Sequence, residues 1–388
     1  MSAREREDKM AIEIACVVGA RPNFMKMAPV FEALRRYPRL RPTLIHTGQH
    51  YDQAMSRVFF DELKMPPPDV NLEVGSGTHA VQTARILERF DEFLEQSRPG
   101  LVVVAGDVNS TVACALAAAK RNIPVGHVES GLRSRDRTMP EELNRIVTDV
   151  LADFLFAPSA DAVENLAAEG IDRSKVHLVG NSMIDSLRRH LPAARARGAH
   201  ARFGLTPRAY AVVTLHRPSN VDDPDGLARI LDALRELAAR LPIVFPAHPR
   251  TAARMETLGG PPLTGVTVCE PLGYLDFLSL MDTAGLVVTD SGGIQEETTA
   301  LGVPCLTLRD NTERPITVSE GTNRVIGSDP AAVAPAAAAV LAAPPPAPRT
   351  QALWDGQAGP RIAAVLAAAL DALPLSAARA EDSLRATI

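Results

Sequence analysis

Aromatic residues and cysteines are both scarce in this sequence, and each scarcity limits the kinds of protein that it can encode. Aromatic residues make up 4% of the 388 residues, so the helices must pack mainly on alanine, leucine and valine. The four cysteines include no C-x-x-C pair and stand in apolar stretches at positions 16, 114, 269 and 305. This pattern argues against a disulfide framework or a zinc site, and it predicts buried thiols in a reducing compartment, which we take to be the cytoplasm.

The sequence also lacks a strong charge of one sign and a long apolar run. Lysine and arginine number 41 and aspartate and glutamate 46, a net charge of −5 that argues against a nucleic-acid partner. The longest uncharged stretch, residues 330–348, is broken by prolines, so no membrane span is predicted. The nine histidines form no H-E-x-x-H motif, which argues against a metal site, and no P-loop or G-x-G-x-x-G fingerprint occurs.

What is present is an alternation of short apolar runs with longer segments of helical period, which favours parallel sheets joined by crossover helices. The length fits two domains at about 150 residues each. We therefore expect an α/β protein of two Rossmann-like, doubly wound domains whose strand ends face a central cleft. The first should cover residues 10–190 and the second residues 200–372, with a last helix that could return to the first domain. Residues 1–9 and 376–388 are expected to be flexible tails.

The apolar runs predict the individual elements. Strands are expected at residues 12–19, 43–47, 100–105, 124–129, 154–157 and 176–179 in the first half, and at 210–215, 243–246, 266–270, 285–289 and 304–308 in the second. Helices are expected at residues 26–37, 80–96, 109–121, 140–152, 160–169 and 225–241.

Three consecutive βα units of the first half each carry an acidic residue, either at the strand end or in the first turn of the helix. Asp107 comes directly after a strand, Glu129 stands at the tip of the next, and Glu141 lies in the first turn of a helix that begins at Pro140. Converging carboxylates, one removing a proton while another delivers one, are typical of acid–base chemistry on a neutral substrate. Simpler interpretations stay open: Asp107 could cap the following helix, and Glu141 could form only a surface pair with Arg145.

Positive charges mark a second feature of the first half. The first strand ends in a turn that holds a glycine, two cations and a helix start, Gly19-Ala20-Arg21-Pro22-Asn23-Phe24-Met25-Lys26. Unpaired N–H groups at a helix N-terminus add to such charges, so the turn predicts an anion site. A plain turn with solvated arginine and lysine is the alternative.

The second half offers the features of a nucleotide site. His216 and Arg217 stand together at a strand tip, where they suit a phosphate, although a structural role for a single histidine is the alternative. The most specific segment is Asp290-Ser291-Gly292-Gly293-Ile294-Gln295-Glu296-Glu297. Its serine can cap a helix, its glycines let backbone N–H groups approach a pyrophosphate, and Glu297 can accept from ribose hydroxyls. A plain glycine-containing turn is the alternative.

Taken in order, these strand-end motifs resemble the non-hydrolysing UDP-N-acetylglucosamine 2-epimerases. The resemblance covers nearly the whole chain, through Gly19-Ala20-Arg21-Pro22, Thr47-Gly48-Gln49-His50, Gly106-Asp107, His127-Val128-Glu129-Ser130-Gly131-Leu132-Arg133, Pro140-Glu141-Glu142-Leu143-Asn144-Arg145, Gly180-Asn181, His216-Arg217, Pro271-Leu272-Gly273-Tyr274, residues 290–297 and Thr312-Glu313-Arg314-Pro315.

The resemblance implies a GT-B-like pair of domains, with UDP held mainly by the second, and a homodimer. It implies interconversion of UDP-N-acetylglucosamine and UDP-N-acetylmannosamine without an added cofactor. The family's route is elimination of UDP to a 2-acetamidoglucal, followed by re-addition with the proton returned to the other face of carbon 2.

The resemblance also implies roles for individual residues. The positions that match catalytic residues of the family are Asp107, Glu129, Glu141, Lys26 and His216. The positions that match substrate contacts are Arg21, Arg145, Arg217, Phe277, Ser291, Gly292, Gly293, Glu297 and Arg314.

The chain departs from the family at several positions. Ser219 stands where the family commonly has a glutamate, and Arg250-Thr251 where it often has Asn-Pro. Some bacterial members bind a second UDP-N-acetylglucosamine as an activator through two glutamines and an arginine. Gln49 matches the first glutamine, but Asp52 stands at the second and residues 75–78 hold no arginine, which argues against such activation here.

Several other functions compete with this interpretation. A 2-epimerase of a modified UDP-sugar, such as a diacetamido uronic acid, is the runner-up, because a few loop side chains could read the remote substituents. A hydrolysing epimerase would release the free sugar. A GT-B glycosyltransferase or an inert nucleotide-binding module would explain residues 291–297 but not the three acids of the first half.

Overall fold

The computed structural model describes residues 11–49, 62–63, 65–343 and 351–372. The chain divides into two α/β units, each built on one parallel sheet. One unit runs to Ser186 and takes in the chain from Ala352 onward, and the other spans Leu187–Gln351. The predicted fold class, two Rossmann-like doubly wound domains, is confirmed.

The sheet of the first unit has seven strands in the order β3-β2-β1-β4-β5-β6-β7. They are β1 Ile12–Val18, β2 Leu40–His46, β3 Val70–Asn71, β4 Leu101–Ala105, β5 Val125–Val128, β6 Phe154–Ala157 and β7 Val176–Leu178. Its helices are α1 Arg21–Leu34, α2 His79–Ser97, α3 Asn109–Lys120, α4 Pro140–Leu151, α5 Ala160–Ala168 and α6 Ser182–Arg197, which continues into the second unit. A 3₁₀ turn covers Arg173–Lys175.

The sheet of the second unit has six strands in the order β10-β9-β8-β11-β12-β13. They are β8 Ala211–Thr214, β9 Ile243–Pro246, β10 Val266–Cys269, β11 Leu286–Thr289, β12 Cys305–Thr307 and β13 Asn323–Val325. Its helices are α7 Ala199–Arg202, α8 Pro218–Val221, α9 Pro224–Ala238, α10 Pro249–Leu258, α11 Tyr274–Thr283, α12 Gly292–Leu301, α13 Ile316–Ser319 and α14 Val333–Leu341, with a 3₁₀ turn at Pro330–Ala332. The last helix, α15 Ala358–Ala372, belongs to the first unit.

Strand order reverses once in each sheet, between β1 and β4 and between β8 and β11. In open α/β sheets the crevice outside the carboxyl ends of the strands at such a reversal is where ligands bind. The turns after these four strands hold Gly19, Asp107, His216 and Ser291, all of them within motifs that the sequence marks as functional. The topology therefore gives each unit one candidate site.

Apolar packing holds these strand ends in place. β4 is buried along its whole length, and α2 covers its face of the sheet with Ile86, Phe90 and Leu94, which recur every four residues. In the second unit, Ile230, Leu234 and Leu237 on α9 pack into the core beside β8 and β11. Within the described residues, no helix is long and apolar enough to cross a membrane.

Some predicted element boundaries are wrong. The short strands β3 and β13, which have two and three residues, carry too little apolar pattern to be seen in the sequence. Helix α1 begins at Arg21 and not at Lys26, because Asn23 accepts a hydrogen bond from the Ala20 amide at 3.1 Å and Pro22 favours a helix start. The predicted burial of the cysteines holds for three of them, whereas Cys269 is half-buried.

Helix α15 and the segment before it are fixed to the first unit by hydrogen bonds and by close packing on α1. The carboxylate of Asp185 accepts a hydrogen bond from the Gly359 amide at 2.8 Å, at the N-terminus of α15. A side chain at position 359 would collide with the carbonyl oxygen of Pro29, 2.5 Å away, so the glycine permits close packing on α1. The indole Nε1 of Trp354 donates to the carbonyl oxygen of Pro158 at 3.1 Å.

We predict that Asp185→Asn stabilises the chain at neutral pH. Burial raises the pKa of Asp185 to about 6, although hydrogen bonds from the Gly359 and Ala358 amides oppose the shift. An acid with a raised pKa contributes stability that is fully present below its ordinary value of 3.8 and is lost as the pH rises through 6. Urea unfolding across this range should show that wild type loses stability relative to Asp185→Asn as the pH rises.

Asp172→Asn provides a control of opposite sign. Asp172 is exposed, and hydrogen bonds from Ser174 lower its pKa, so its contribution to stability is present at neutral pH and is lost on acidification. A difference between wild type and Asp185→Asn that does not change with pH would contradict the assigned burial of Asp185.

Candidate active site

A buried ion pair lies at the strand reversal of the first unit. The Lys26 ammonium on α1 contacts the Glu129 carboxylate after β5, and the two residues are 4% and 6% exposed. Glu129 has φ of +69°, a left-handed conformation that is costly for a side chain with a Cβ and is typical of functional turns. Gly106 lies against this pair, since a Cβ there would meet the Lys26 Nζ at 2.7 Å.

The neighbouring strand end presents Asp107 to a buried arginine. Arg145 on α4 donates from Nη2 and Nε to the Asp107 Oδ2, at 2.6 and 3.1 Å. It donates from Nη1 to Glu142 Oε2 at 2.8 Å. The N-cap of α3 is Val108, so the alternative that Asp107 caps this helix is wrong. The alternative surface pair of Glu141 with Arg145 is also wrong, because the guanidinium is buried against the other two carboxylates.

Helix α4 holds the turns that carry the acids. Glu142 is 1% exposed and accepts from the Ser134 and Arg135 amides, both at 2.8 Å. Asn144 donates to the carbonyl oxygen of Asp107 at 2.9 Å. Glu141 is half-buried in the first turn of α4 and has no hydrogen-bond or ion-pair partner within the described residues. It stands three residues before Asn144, and so on the face of α4 that reaches the Asp107 turn.

A third buried cluster ties β5 to α4. His127 is fully buried, with Nδ1 2.6 Å from Asp149 Oδ1 and Nε2 2.8 Å from the carbonyl oxygen of Gly106. Asp149 also accepts from the Gly131 amide at 3.1 Å and contacts Arg133 at 2.8 Å. Burial alone would raise the pKa of Asp149, but the hydrogen bonds and charges of His127 and Arg133 hold it below the ordinary value.

Four residues of these clusters have no role predicted from the sequence: His127, Arg133, Glu142 and Asp149. The position of His127 and Arg133 within the run that carries Glu129 could have suggested the first two. Glu142 sits beside Glu141, and nothing in the local pattern tells which of the two points inward. In the sequence pattern, Asp149 occupies an ordinary polar position of an amphipathic helix.

In the second unit, the Asp290 carboxylate accepts hydrogen bonds from the turn after β8. This carboxylate is fully buried and accepts from the His216 and Arg217 amides at 3.0 and 2.9 Å and from the Asn220 side chain at 3.0 Å. It also lies 2.9 Å from His216 Nδ1. Burial would raise the pKa of Asp290, but these contacts, first among them the His216 side chain, leave it lowered.

The N-terminus of α12 lies beside a buried arginine. A Cβ at Gly292 would meet Arg314 Nη1 at 2.3 Å, so this glycine is required by the guanidinium that lies against it. Arg314 is held by Glu296 at 3.0 Å and Glu313 at 3.3 Å. Ser291 occupies the N-cap position but makes no side-chain capping hydrogen bond, so the predicted cap is wrong. The first-turn amides of α12, including that of Gly293, form a helix start next to a cation.

The other predicted substrate contacts of the second unit are Glu297, Phe277 and Arg217. Glu297 on α12 is 5% exposed, and its Oε1 accepts from the Tyr274 hydroxyl at 3.2 Å. Phe277 is half-buried on α11, one turn after Tyr274. Arg217 donates from Nε to the carbonyl oxygen of Asp290 at 3.1 Å and lies 3.6 Å from Glu313.

The structure thus brings together Lys26, Glu129, Asp107 and Arg145 in one unit and His216 and Arg217 in the other. The prediction that Lys26 belongs to a turn is wrong, because it is buried within α1. The Arg21 side chain, His50 and Asp52 lie outside the described part of the structure. Within the described residues, no group of three or more histidine, cysteine, aspartate or glutamate side chains could hold a metal ion.

Comparison with known proteins identifies the family. A sequence model of UDP-N-acetylglucosamine 2-epimerases matches residues 32–367. The chain belongs to this family. It is 42% identical to a UDP-N-acetylglucosamine 2-epimerase of Methanococcus maripaludis over 82% of this chain and 88% of that protein. It is 41% identical to a UDP-2,3-diacetamido-2,3-dideoxy-D-glucuronate 2-epimerase of Pseudomonas aeruginosa, over 82% and 89%.

A solved structure of the family has the same fold. The crystal structure of the UDP-GlcNAc 2-epimerase of Methanocaldococcus jannaschii, in complex with UDP-GlcNAc and UDP, matches with a TM-score of 0.84 and 39% identity. The match covers 92% of this chain and all of that one. The GT-B-like architecture implied by the resemblance is therefore confirmed.

We predict that Lys26→Met destabilises this epimerase-family protein by about 3–5 kcal/mol, because it leaves the Glu129 carboxylate buried without its cation. The double variant Lys26→Met with Glu129→Leu should recover much of that loss, since neither charge then remains. Urea unfolding of the three proteins measures both values.

Arg36→Met is the matched control. Arg36 follows α1 and pairs with Glu32 at the surface, where the two side chains are 67% and 41% exposed, so its loss should cost about 0.5 kcal/mol or less. A Lys26→Met loss as small as that of the control would show that the Lys26–Glu129 pair is solvated.

Proposed function

We propose that the protein catalyses the reversible epimerisation of UDP-N-acetylglucosamine at carbon 2 to UDP-N-acetylmannosamine. The observation that carries this proposal is the pair of carboxylates, Asp107 and Glu129, that buried cations hold at neighbouring strand ends in a chain of this family. The named activity of the Methanococcus maripaludis relative and the ligands of the Methanocaldococcus jannaschii structure support the substrate.

The proposed reaction is elimination followed by re-addition. A base takes the proton from carbon 2, the bond from carbon 1 to the diphosphate oxygen breaks, and UDP leaves with the electron pair. The product is a 2-acetamidoglucal. UDP then adds back to carbon 1 while a proton is delivered to the opposite face of carbon 2, so atoms and charge balance without a cofactor.

The chemical roles follow from the surroundings of the acids. Buried cations hold two of the acids in place, Lys26 beside Glu129 and Arg145 beside Asp107, and we assign both carboxylates to proton transfer at carbon 2. Glu141, half-buried in the first turn of α4, is the third acid that we assign to proton transfer. General acid–base catalysis of this kind contributes about 10²–10⁴-fold in rate.

We assign UDP mainly to the second unit. The helix start at Ser291, Gly292 and Gly293, together with Arg314, suits the diphosphate, because N–H groups and a cation meet there. Glu297 suits the ribose hydroxyls as an acceptor and Phe277 the uracil ring as a packing surface.

The other assigned substrate contacts are cations and a histidine. Arg217 and His216 suit the diphosphate oxygens that leave. Arg21, whose side chain lies outside the described part of the structure, stays a substrate contact predicted from the resemblance. Arg145 already has two partners, because its guanidinium contacts the carboxylates of Asp107 and Glu142. We therefore assign it to positioning Asp107 and not to direct substrate binding.

A second candidate function is the 2-epimerisation of a modified UDP-sugar. The Pseudomonas aeruginosa relative, which is named for a diacetamido uronic acid, is about as similar to this chain as the first relative. The acid–base residues serve both reactions equally, so only the substrate tells them apart.

A homodimer stays a prediction from the resemblance. The surface most suited to it within the described residues is an apolar stripe on α4, formed by Leu143, Val147 and Val150 at 41%, 43% and 64% exposure. Exposed apolar stripes of this kind are typical of protein interfaces. The cytoplasmic location likewise stays a prediction.

We predict that UDP-N-acetylglucosamine incubated with the protein alone in deuterated water gains deuterium at carbon 2. A parallel incubation with UDP-2,3-diacetamido-2,3-dideoxyglucuronic acid distinguishes the two candidate substrates. Asp107→Asn and Glu129→Gln should slow this exchange by about 10²–10⁴-fold while UDP still binds. Mass spectrometry of the recovered sugar nucleotides measures the exchange.

Glu164→Gln controls for loss of a carboxylate as such, because Glu164 is exposed on α5 and should exchange at the wild-type rate. Release of the free sugar would indicate a hydrolysing enzyme. No deuterium in either sugar nucleotide would contradict the proposed function.

A further inference from the structure

Asp290 is a fully buried carboxylate for which the reaction described above has no use. It stands directly after β11, at the strand reversal of the second unit, and its side chain accepts hydrogen bonds from the turn after β8 and from α8. A buried carboxylate is costly unless its oxygens are satisfied. The way in which its two oxygens divide their partners shows what this residue does.

One oxygen organises the backbone of the turn. Asp290 Oδ2 accepts from the amides of His216 and Arg217 at 3.0 and 2.9 Å and from Asn220 Nδ2 at 3.0 Å. Three donors on one oxygen fix the path of the chain from β8 into α8. The turn also returns a contact, because Arg217 Nε donates to the Asp290 carbonyl oxygen at 3.1 Å.

The other oxygen faces the imidazole ring. Asp290 Oδ1 lies 2.9 Å from His216 Nδ1, and the His216 amide is 3.2 Å away. A charged carboxylate only accepts hydrogen bonds, so the proton of this contact must sit on Nδ1. The ring is then either neutral with its lone pair on Nε2 or positively charged with a second N–H there, and the carboxylate favours the charged form.

We propose that Asp290 is the positioning residue that fixes the tautomer of His216 and stabilises its imidazolium form, so that Nε2–H binds an anionic oxygen of the diphosphate. This inference rests on the proposed function for the assignment of His216 to the leaving group. Within the described residues, the groups that face the ring or its carboxylate include Asp290 directly after β11, Arg217 in the turn and Asn220 in α8, with Glu313 3.6 Å from Arg217.

His216 is well placed for this role. Its side chain is 58% exposed although its partner is fully buried, so the ring spans from the interior of the unit to its surface. The imidazole has Nδ1 and Nε2 on opposite edges, and the edge that Asp290 does not hold is the one that carries Nε2. The same arrangement of buried carboxylate, histidine and outer ring nitrogen prepares histidines for proton and anion chemistry in other enzymes.

Asp290→Asn is an unusually selective test of this inference. The amide oxygen of asparagine can replace Oδ2 and keep all three donors of the turn. The amide nitrogen then replaces Oδ1 and donates to His216 Nδ1, which reverses the tautomer and removes the charge. The fold should therefore survive while the ring changes state.

Asn220→Ala is the matched control. It removes one hydrogen bond from the same carboxylate and loosens the same turn, but it leaves the contact of Asp290 with His216 Nδ1 in place. Any effect of Asp290→Asn that comes only from a disturbed turn should appear in this control as well.

The experiment combines nitrogen NMR of the histidine rings with steady-state kinetics. In ligand-free wild type, the ¹⁵N shift of His216 Nδ1 should show a bound proton, and in Asp290→Asn it should show none. The kcat for epimerisation should fall by about 10²-fold in Asp290→Asn and less than about tenfold in Asn220→Ala. The pH at which kcat loses its protonated group should also fall by about one unit or more in Asp290→Asn, because the stabilising charge is gone.

The outcomes separate the two claims. An unprotonated Nδ1 in wild type, or a normal kcat in Asp290→Asn, overturns the role of Asp290. Equal losses in Asp290→Asn and Asn220→Ala with unchanged ring signals would show a purely structural residue and also overturn it. A wild-type protein without epimerase activity but with the expected ring signals refutes the proposed function and leaves the control of the His216 tautomer established.

Discussion

The first unit depends on the burial of paired charges between α4 and the ends of β4 and β5. Glu142, Arg145 and Asp149 all point from one helix into the sheet edge, and each meets an opposite charge or a set of backbone amides. Removing one member of such a set leaves another charge buried, which costs several kcal/mol. The turns that carry Asp107 and Glu129 are therefore held by electrostatics as much as by apolar packing, which suits residues that must keep their geometry during proton transfer.

In each unit, a buried carboxylate contacts a histidine ring and at least one backbone amide near a strand end. In the first, the carboxylate of Asp149 contacts the His127 ring, the Gly131 amide and the Arg133 guanidinium. In the second, the carboxylate of Asp290 gathers the amides after β8 and the His216 ring. In both cases a buried acid on one element fixes the turn that follows a neighbouring strand at or beside the strand reversal. The difference is that His127 stays wholly inside the unit, whereas His216 reaches the surface.

The sequence was enough to predict eleven of the thirteen described strands and the acids that follow them, because both have local signals. A buried parallel strand is a short apolar run, and a carboxylate directly after it must lie at the carboxyl edge of the sheet. The partners of these acids have no local signal. Arg145 lies 38 residues from Asp107, and Lys26 lies 103 residues from Glu129, so only the folded sheet brings them together. For the same reason, the sequence did not reveal that Arg145 pairs with Asp107, and Glu142 and Asp149 were missed.

We propose that α4 positions Asp107 for proton transfer and that UDP binds mainly to the second unit. The decisive measurement is deuterium exchange at carbon 2 by Arg145→Lys, made together with UDP affinity. Lysine keeps the positive charge but cannot contact Asp107 and Glu142 together as the guanidinium does. We expect exchange to be slowed by about tenfold or more and UDP affinity to change by less than about threefold. Exchange at the wild-type rate, or a loss confined to UDP affinity, would contradict this proposal.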